Sequence, residues 1–355
     1  MTTAIPDCPG IIPSLPTIPD PHNQFSTRKR IFAWLGTFVG VTVPIVGVVA
    51  AAFLLWGWGF GWVNFGLLVG LYLLSMIGIT VGFHRLFTHR SFQANRLVQL
   101  VLSVLGSMAF QGPLIDWVGR HRVHHQFSDG EGDPHSPHLH GSGLWGFLRG
   151  FWHAHIGWAF SPMAAGMERY AGDLYRNRML RVVSDLFPLW ALIGLLIPAL
   201  VGLCVDGWFG AITGFVWGGL VRVFLGHHVT WSVNSVCHLW GRRPYQSDDK
   251  SRNNAVVGLL ALGEGWHNNH HAFPSSARHG LRWWQIDLSY YIIRVLVLLR
   301  MAWKVRLPAA EELRSRRRKK AAKAALPVVS ADAQQIGQHT PKDSRPDAGS
   351  VTRIT

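Results

Sequence analysis

The sequence has 355 residues, of which 48% are hydrophobic and only 15% are charged. A soluble globular protein usually has about 25% charged residues, so this composition argues against a water-soluble protein. The three cysteines include no C-x-x-C pair, which argues against a disulfide framework and excludes a thiolate metal site. The chain also has 19 histidines, an excess that requires a chemical explanation.

The formal net charge of +15 raises the question of nucleic-acid binding. Seven of the basic residues, however, fall in one run between Arg314 and Lys323. Beside long apolar segments, such a run more often marks a membrane flank or a solvated tail. We therefore predict no nucleic-acid partner.

The N-terminal half begins with a leader and two apolar segments. Residues 1–27 are rich in Pro, Thr and Asp, and we predict a flexible leader without the features of a secretory signal. No charged residue occurs between Ile31 and Phe83. A bilayer-spanning helix needs about 20 apolar residues, so this stretch predicts two spans, at about 31–56 and 62–83.

A second apolar region runs from about residue 186 to 231 and is broken at Val205-Asp206-Gly207. It predicts two more spans, at about 186–205 and 208–231, which makes four transmembrane helices in an all-α, multi-pass membrane protein. With four spans, both termini lie on the same side. The short connecting loops carry no Lys or Arg, whereas basic residues flank the spans, so the positive-inside rule predicts cytoplasmic termini.

The remaining boundaries follow from composition. We predict a membrane domain over residues 28–308 and a basic, largely disordered C-terminal tail over 309–355. A fifth apolar segment, 97–115, has Gln99, Ser103, Ser107 and Gln111 at every fourth position. This polar stripe favours an interfacial helix over a fifth span, which keeps all the histidine clusters on one side.

Three histidine clusters follow the predicted spans and form a cytoplasmic helical cap in this interpretation. They are His84-Arg-Leu-Phe-Thr-His89, His121-Arg-Val-His124-His125 and His267-Asn-Asn-His270-His271. In the last two, the i, i+3, i+4 spacing places three imidazoles on one helix face. The five-residue step of the first cluster predicts a helix end or a bend.

Metal binding is the function that this pattern favours. A single cluster could be the solvated polar face of a helix at the membrane surface, but chance accounts poorly for two H-x-x-H-H sequences in one chain. Eight imidazoles are too many for one tetrahedral zinc ion and suit two metals. After the fourth span, His238 could be a ligand or an interfacial histidine, and spacing alone favours a structural role for Asn234.

These residues resemble the histidine boxes of the integral-membrane fatty acid desaturases, and within them the Δ9, stearoyl-CoA-type branch. Further matching stretches are Asp133-Pro134-His135, His155-Ile-Gly-Trp158, Asn234-Ser-Val-Cys-His238 and Trp284-Gln-Ile-Asp287. The resemblance covers about residues 31–305. It implies that the box histidines and His238 hold two irons, that Asn234 contacts one iron through water, and that the acyl chain occupies a bent tunnel.

The resemblance also decides which histidines are not expected to be ligands, because the family does not use their equivalents. These are His135, His138, His140, His153, His155, His227, His228 and His279.

The cofactor prediction is two ferrous ions with O2 as co-substrate. Removing hydrogen from an unactivated C–H bond requires an oxidant generated from O2, and zinc is redox-inert. The chain has no His-Pro-Gly-Gly haem signature, Gly-rich nucleotide loop or cysteine cluster. We therefore expect a separate electron donor protein, a ferredoxin, cytochrome b5 or reductase, docking on the cytoplasmic face, with membrane lipids and a fatty acyl substrate as the other partners.

Several residues are candidates for supporting roles. Asp129, Glu131, Asp133 and Glu264 flank the boxes and could orient ligands, although loop solvation is an equal interpretation for each. Tyr72 lies twelve residues before His84, about 18 Å deeper, at a depth suited to a tunnel floor.

The acyl carrier is the point on which the resemblance is incomplete. The mammalian acyl-CoA enzymes have an Arg-Asp pair before the second box and an Arg-Lys pair after the His-x-Gly-Trp stretch. This chain has Gly119-Arg120 at the first place and Ala-Phe-Ser-Pro at the second. Arg120 could still meet a phosphate, so the predicted substrate is a saturated acyl-CoA desaturated at Δ9, with an acyl-lipid substrate or a related hydroxylase as alternatives. A metal-handling membrane protein is the alternative from a different class.

Overall fold

The structure, a computed structural model, describes residues 27–54, 59–161 and 167–317. The predicted leader up to residue 26, most of the first interhelical turn and the tail from residue 318 onward lie outside these ranges.

The described chain is mostly helical, as the sequence predicts, and its one sheet consists of two antiparallel strands of two residues each. The elements are α1 (Thr27–Leu54), α2 (Trp62–Ile77), a π-helix (Gly78–Thr88), β1 (Gln93–Ala94), α3 (Arg96–Ser107), α4 (Leu114–Phe127), α5 (Gly143–His155), α6 (Met167–Tyr170), α7 (Gly172–Tyr175), α8 (Arg178–Asp185), α9 (Phe187–Gly214), a second π-helix (Phe215–Val221), α10 (Arg222–Leu239), α11 (Ala255–Leu260), α12 (His267–Ala272), α13 (Leu288–Leu298), β2 (Ala302–Trp303) and α14 (Ala310–Ser315).

Three helical stretches of the described chain are long and apolar enough to cross a membrane, at Trp34–Phe53, Trp62–Thr88 and Phe187–Leu239. The third is broken inside α9, because Asp206 and Gly207 leave the helical conformation, and Gly207 has a φ of +56°. Beyond the break the chain folds back on itself. A Cβ placed on Gly202 would lie 1.9 Å from the carbonyl oxygen of Gly210, so glycine is required where the two halves touch.

One charged side chain lies inside the predicted fourth span. Arg222 is 2% exposed, and its guanidinium donates to the backbone carbonyls of Gly218, Met108 and Gly194. These carbonyls satisfy the buried donors, so Arg222 joins α10 to α9 and to Met108, the residue that follows α3.

The predicted interfacial helix 97–115 is shorter than expected. α3 ends at Ser107, and Phe110 and Gly112 take positive φ values before α4 begins at Leu114. At about 1.5 Å per residue, the twelve residues of α3 cannot cross a bilayer, which agrees with the choice against a fifth span.

The polar stripe of α3 faces the protein and not water. Ser103 and Ser107 are fully buried and donate to carbonyls of their own helix, whereas Leu97 and Val101 are exposed. Small side chains are needed on the buried face because α3 lies directly on the first π-helix. A Cβ on Gly78 would lie 2.1 Å from the amide nitrogen of Gly106.

The packed chain continues past the predicted boundary at residue 308. α14 follows, the amide of Gln246 donates to the carbonyl of Arg316, and the guanidinium of Arg316 donates to the carbonyl of Ala272 at the end of α12. Residues 310–317 therefore belong with the helices that carry the third histidine box.

Candidate metal centre

The first histidine box is positioned by the π-helix. The amide of His89 donates to the carbonyl of His84 at 3.1 Å, a hydrogen bond between residues five apart. An α-helix would turn residues i and i+5 well away from each other, whereas the wider π turn brings them near the same face. The H-x-x-x-x-H spacing therefore fits this helix type, and the rings lie 4.8 Å apart.

The second and third boxes lie on α4 and α12, and both are helical as predicted. The Nε2 atoms of His121 and His125 lie 3.1 Å apart, and those of His267 and His271 lie 3.0 Å apart. Each pair is an i, i+4 pair. The i+3 histidine points about 100° away from the i+4 residue around the helix.

This difference in direction divides the boxes between two clusters, in each of which the ligand-type atoms lie within 4.8 Å of one another. Cluster A consists of His84, His89, His121, His125 and His270. Cluster B consists of His124, His238, His267 and His271. All nine histidines proposed from the sequence are therefore brought together, although the sequence could not assign them to separate positions.

In cluster B, three carboxylates accept hydrogen bonds from the outer ring nitrogens. The Nδ1 of His238 donates to Asp129 at 2.8 Å, and that of His124 donates to Asp133 at 3.0 Å. The Nδ1 of His271 donates to Asp249. Each Nδ1 that donates to an ionised carboxylate leaves a lone pair on the Nε2 of the same ring. The carboxylates therefore set the tautomer that a metal requires.

In cluster A, Glu264 has the corresponding position within a buried ionic network. The Nδ1 of His84 lies 2.6 Å from Glu264, whose other oxygen accepts from Arg85 at 3.1 Å. Arg85 is fully buried and also pairs with Asp287 at 2.8 Å. His279 lies 3.2 Å from Glu264.

The carboxylates are held ionised. Burial raises the pKa of Asp129, but the hydrogen bond and charge of His238, the backbone amide of Lys250 and the charge of His138 together outweigh it, so the pKa lies below its ordinary value. Asp133 and Asp249 are shifted the same way by His124 and His271. Burial, reinforced by the neighbouring rings, holds the pKa of the histidines at 89, 121, 125, 267 and 270 well below 6.5.

The donor set fits a pair of metal ions. The Nε2 atoms of His238 and His267 are 3.0 Å apart, although the Nδ1 of His238 already donates its proton outward. The Nε2 atoms of His89 and His124 are buried and have no hydrogen-bond partner. Ring nitrogens that converge in this way suit a cation, and neutral imidazole accepts iron, copper, nickel or zinc.

The other residues proposed from the sequence for supporting roles lie at different distances from the two clusters. Asn234 and Arg120 line the large cavity described below, and the Arg120 guanidinium lies 5.1 Å from the ring centre of Trp158. Glu131 is exposed. The hydroxyl of Tyr72 donates to the carbonyl of Leu260, and Tyr72 packs beside Met76 and not in the cavity wall.

Of the histidines predicted as non-ligands, two come close to the centre. His135 lies near His124 and Asp133, and His279 lies near His84 and Glu264. Asp249 is a contributor that sequence reasoning missed, and Asp287 was noted only as part of a matching stretch, without its role as a partner of Arg85. Asp249 occurs in a polar loop between α10 and α11 and carries no spacing signal, because only the tertiary fold brings it to α12.

A cavity of about 920 Å³ extends from the centre toward α1 and α9. Its inner wall includes His84, His121 and His267, and the apolar wall includes Met76, Ile79 and Val233. This volume is in the range of sites for organic ligands. An apolar cavity that borders both clusters suits an aliphatic chain.

Known proteins share this sequence pattern. Residues 60–306 match the family described as fatty acid desaturase. The chain is 43% identical over 278 residues to a hex-5-enoyl-[acyl-carrier protein] acetylenase from Moorena producens, covering 78% of this chain and 87% of the relative. It is 39% identical to an icosanoyl-CoA 5-desaturase from Limnanthes douglasii, covering 76% and 71%. It is 38% identical to an sn-1 stearoyl-lipid 9-desaturase from Anabaena variabilis, covering 79% and 96%.

The chain belongs to the fatty acid desaturase family and is an oxidoreductase. The apolar helices and the two histidine clusters agree with a membrane enzyme that has a metal site. The relatives differ in the acyl carrier and in the position of the bond, so neither property follows from family membership.

Proposed function

We propose that this enzyme introduces a cis double bond at Δ9 of a saturated fatty acyl chain, with O2 as oxidant and two irons held by clusters A and B. The observation that carries the proposal is the convergence of nine imidazoles into two clusters beside an apolar cavity. Bound iron would supply the O2-derived oxidant needed to remove hydrogen from unactivated carbons, which zinc cannot do.

The residues of the chain hold and orient the reactants. Asp129, Asp133 and Asp249 fix three rings of cluster B, and Glu264 fixes His84 in cluster A. Their role is to keep each Nε2 lone pair directed inward before metal binds. Asn234, on the cavity wall beside His267, is proposed to contact one iron through water.

The cavity wall has the complementary role of placing the chain. Ile79 and Thr80 precede His84 by about one turn, and Trp117 precedes His121 by one turn, so the wall leads to both boxes. An aliphatic chain lying against this wall would expose only a few carbons to the clusters, which is the basis of a fixed bond position. The Δ9 position is supported by relatives named as 9-desaturases.

The membrane topology is part of the same proposal. The break at Asp206–Gly207 divides the third apolar stretch into antiparallel halves, which supports four crossings and therefore both termini on one side. That this side, with the centre, is cytoplasmic is proposed from the basic residues that flank the spans. Electrons are proposed to come from a separate ferredoxin, cytochrome b5 or reductase on that side. The sequence favours acyl-CoA as carrier, and relatives that act on acyl-CoA and on acyl-lipid are equally similar.

Fatty acid methyl ester analysis of a heterologous host tests the reaction. We expect new Δ9 monoenes with the wild type and with His140→Ala, because His140 belongs to neither cluster. We expect none with His124→Ala. Monoenes at another position would contradict the Δ9 assignment, and hydroxylated or acetylenic products would contradict desaturation as the end point. Metal-dependent growth without new monoenes would favour the metal-handling alternative.

A further inference from the structure

The loop between α10 and α11, which carries Asp249, is attached to α12 through side chains. The amide of Tyr245 donates to the side-chain oxygen of Asn268 at 2.9 Å, and the side-chain amide of Asn268 donates to the hydroxyl of Ser247 at 3.2 Å. That hydroxyl donates to Asp249 at 2.9 Å, and Asp249 also accepts from His271. The direction in which the Asp249 carboxylate points therefore depends on the backbone path of this loop.

A second attachment of the same loop comes from residues 310–317, which we call the C-terminal clamp. The clamp consists of α14 and the two residues after it. The amide of Gln246 donates to the carbonyl of Arg316 at 2.8 Å, and Tyr245 forms an antiparallel bridge with Arg317. Both contacts are made by the backbone, so they fix the path of the loop a few residues ahead of its carboxylate.

Side chains of the clamp also contact the end of α12. The guanidinium of Arg316 donates to the carbonyl of Ala272, the last residue of α12, at 3.0 Å, and lies 5.8 Å from the ring centre of Phe273. Leu313 packs on the buried apolar cluster to which Ala272 and Phe273 belong. A basic side chain commonly satisfies the last carbonyls of a helix, and here it does so one residue after His271.

The clamp bears more closely on cluster B than on cluster A. Two of the four ligands of cluster B lie on α12, and one of these donates to Asp249. Cluster A takes only His270 from α12, and its other four ligands come from the first histidine box and α4. Its carboxylate, Glu264, precedes α12 and is paired with Arg85. Loss of the clamp should therefore loosen one metal and spare the other.

We propose that the C-terminal clamp is a positioning element for the metal of cluster B, because it holds Asp249 against His271. This inference rests on the proposed metal centre. Residues 310–317 follow the predicted membrane domain, and none of them belongs to either cluster. Leu313 and Arg316 are the positioning residues. Without them the ring of His271 loses its fixed tautomer and direction, and cluster B holds its metal with fewer oriented nitrogens.

Metal retention in the full-length protein tests the clamp. Leu313→Asp places a charge in its apolar contact, and Arg316→Met removes its hydrogen bond to Ala272. Each protein is purified in detergent, loaded anaerobically with ferrous iron and dialysed against a graded chelator. In the variant with both substitutions, we expect iron to fall from about two atoms per chain to about one at a roughly fivefold lower chelator concentration than in the wild type. The matched controls Leu307→Asp and Arg314→Met, at exposed positions nearby, should behave like the wild type.

A second background separates positioning from general stability. His238→Ala and His267→Ala together remove ligands that belong only to cluster B. In that protein the two clamp substitutions should leave the one remaining iron unchanged, since the contact that they support no longer holds a metal. In the otherwise wild-type protein, Arg316→Lys keeps a donor for the carbonyl of Ala272, so it should retain more iron than Arg316→Met.

The contradicting outcomes are distinct. Loss of the remaining iron in the His238→Ala, His267→Ala background would show that the clamp stabilises both clusters alike, which would overturn the proposal. Equal iron retention in the wild type and the clamp variant would also overturn it, while the metal centre stands. If the wild type itself takes up no iron, the proposed metal centre fails and the clamp proposal fails with it.

Discussion

The Nδ1 of His238 donates to Asp129 at 2.8 Å, although the two residues lie 109 positions apart in the chain. Asp129 also accepts the backbone amide of Lys250 and the hydroxyl of Ser136. This one carboxylate therefore joins α10, the loop after α4 and the loop before α11 around cluster B.

Replacement of the Asp129 carboxylate by an amide should weaken metal binding at cluster B. Asp129→Asn keeps the shape but removes the charge and one acceptor oxygen, so we expect metal affinity to fall by roughly 10- to 100-fold. Glu131→Gln makes the same charge change on an exposed residue of the same loop and should have no such effect. Metal content after dialysis against a graded chelator measures the difference, and equal retention in both variants would contradict the role of Asp129.

Asp249 should be as important as Asp129, although no spacing pattern singles it out. Asp249→Asn removes the acceptor for His271, whereas Asp248→Asn changes an exposed neighbour. We expect the first variant to lose metal and desaturation by at least tenfold and the second to resemble the wild type. Iron analysis and product formation on the same preparations provide the measurement, and a normal Asp249→Asn enzyme would exclude this contact from the centre.

Arg85 should contribute mainly to stability. It is fully buried between Glu264 and Asp287, so Arg85→Met would leave two buried carboxylates without their cation and should cost about 3–5 kcal/mol. Arg90→Met breaks an exposed ion pair with Asp173 and should cost at most about 1 kcal/mol. Unfolding in detergent compares the two variants, and a similar loss in both would show that burial of the pair is unimportant.

Substitutions at Met76 and Tyr72 should differ in their effect on the chain length of the products. Met76 is the cavity-lining residue of its helix that lies furthest from His84, and Tyr72 is one turn beyond it, outside the wall. Met76→Ala should therefore shift products toward longer chains, whereas Tyr72→Ala should leave the chain-length profile unchanged. Gas chromatography of the products distinguishes them. A shift with Tyr72→Ala alone would restore Tyr72 as the tunnel floor.

The sequence predicts the helices and histidine boxes because both depend on local spacing. Apolar length predicts the long helices, the Asp206-Gly207 break is local, and i, i+3, i+4 spacing predicts the helical boxes on α4 and α12. The spacing of polar residues in α3 does not show that its serines are buried, because that depends on the π-helix packing on them.

The organisation around the clusters depends on contacts between distant segments. Asp249 reaches His271 and Asp129 reaches His238 only through loops whose paths no local pattern encodes. The division of nine histidines into two clusters likewise depends on how α4, α10, α12 and the π-helix meet.

The central claim is that these two clusters hold two irons in one chain. The most direct measurement is elemental analysis of the full-length protein, purified in detergent and loaded anaerobically with ferrous iron. We predict about two iron atoms per chain, falling to about one when His238 and His267, which belong only to cluster B, are both replaced by alanine. A wild-type protein that retains no iron, or only one atom per chain, would contradict the account.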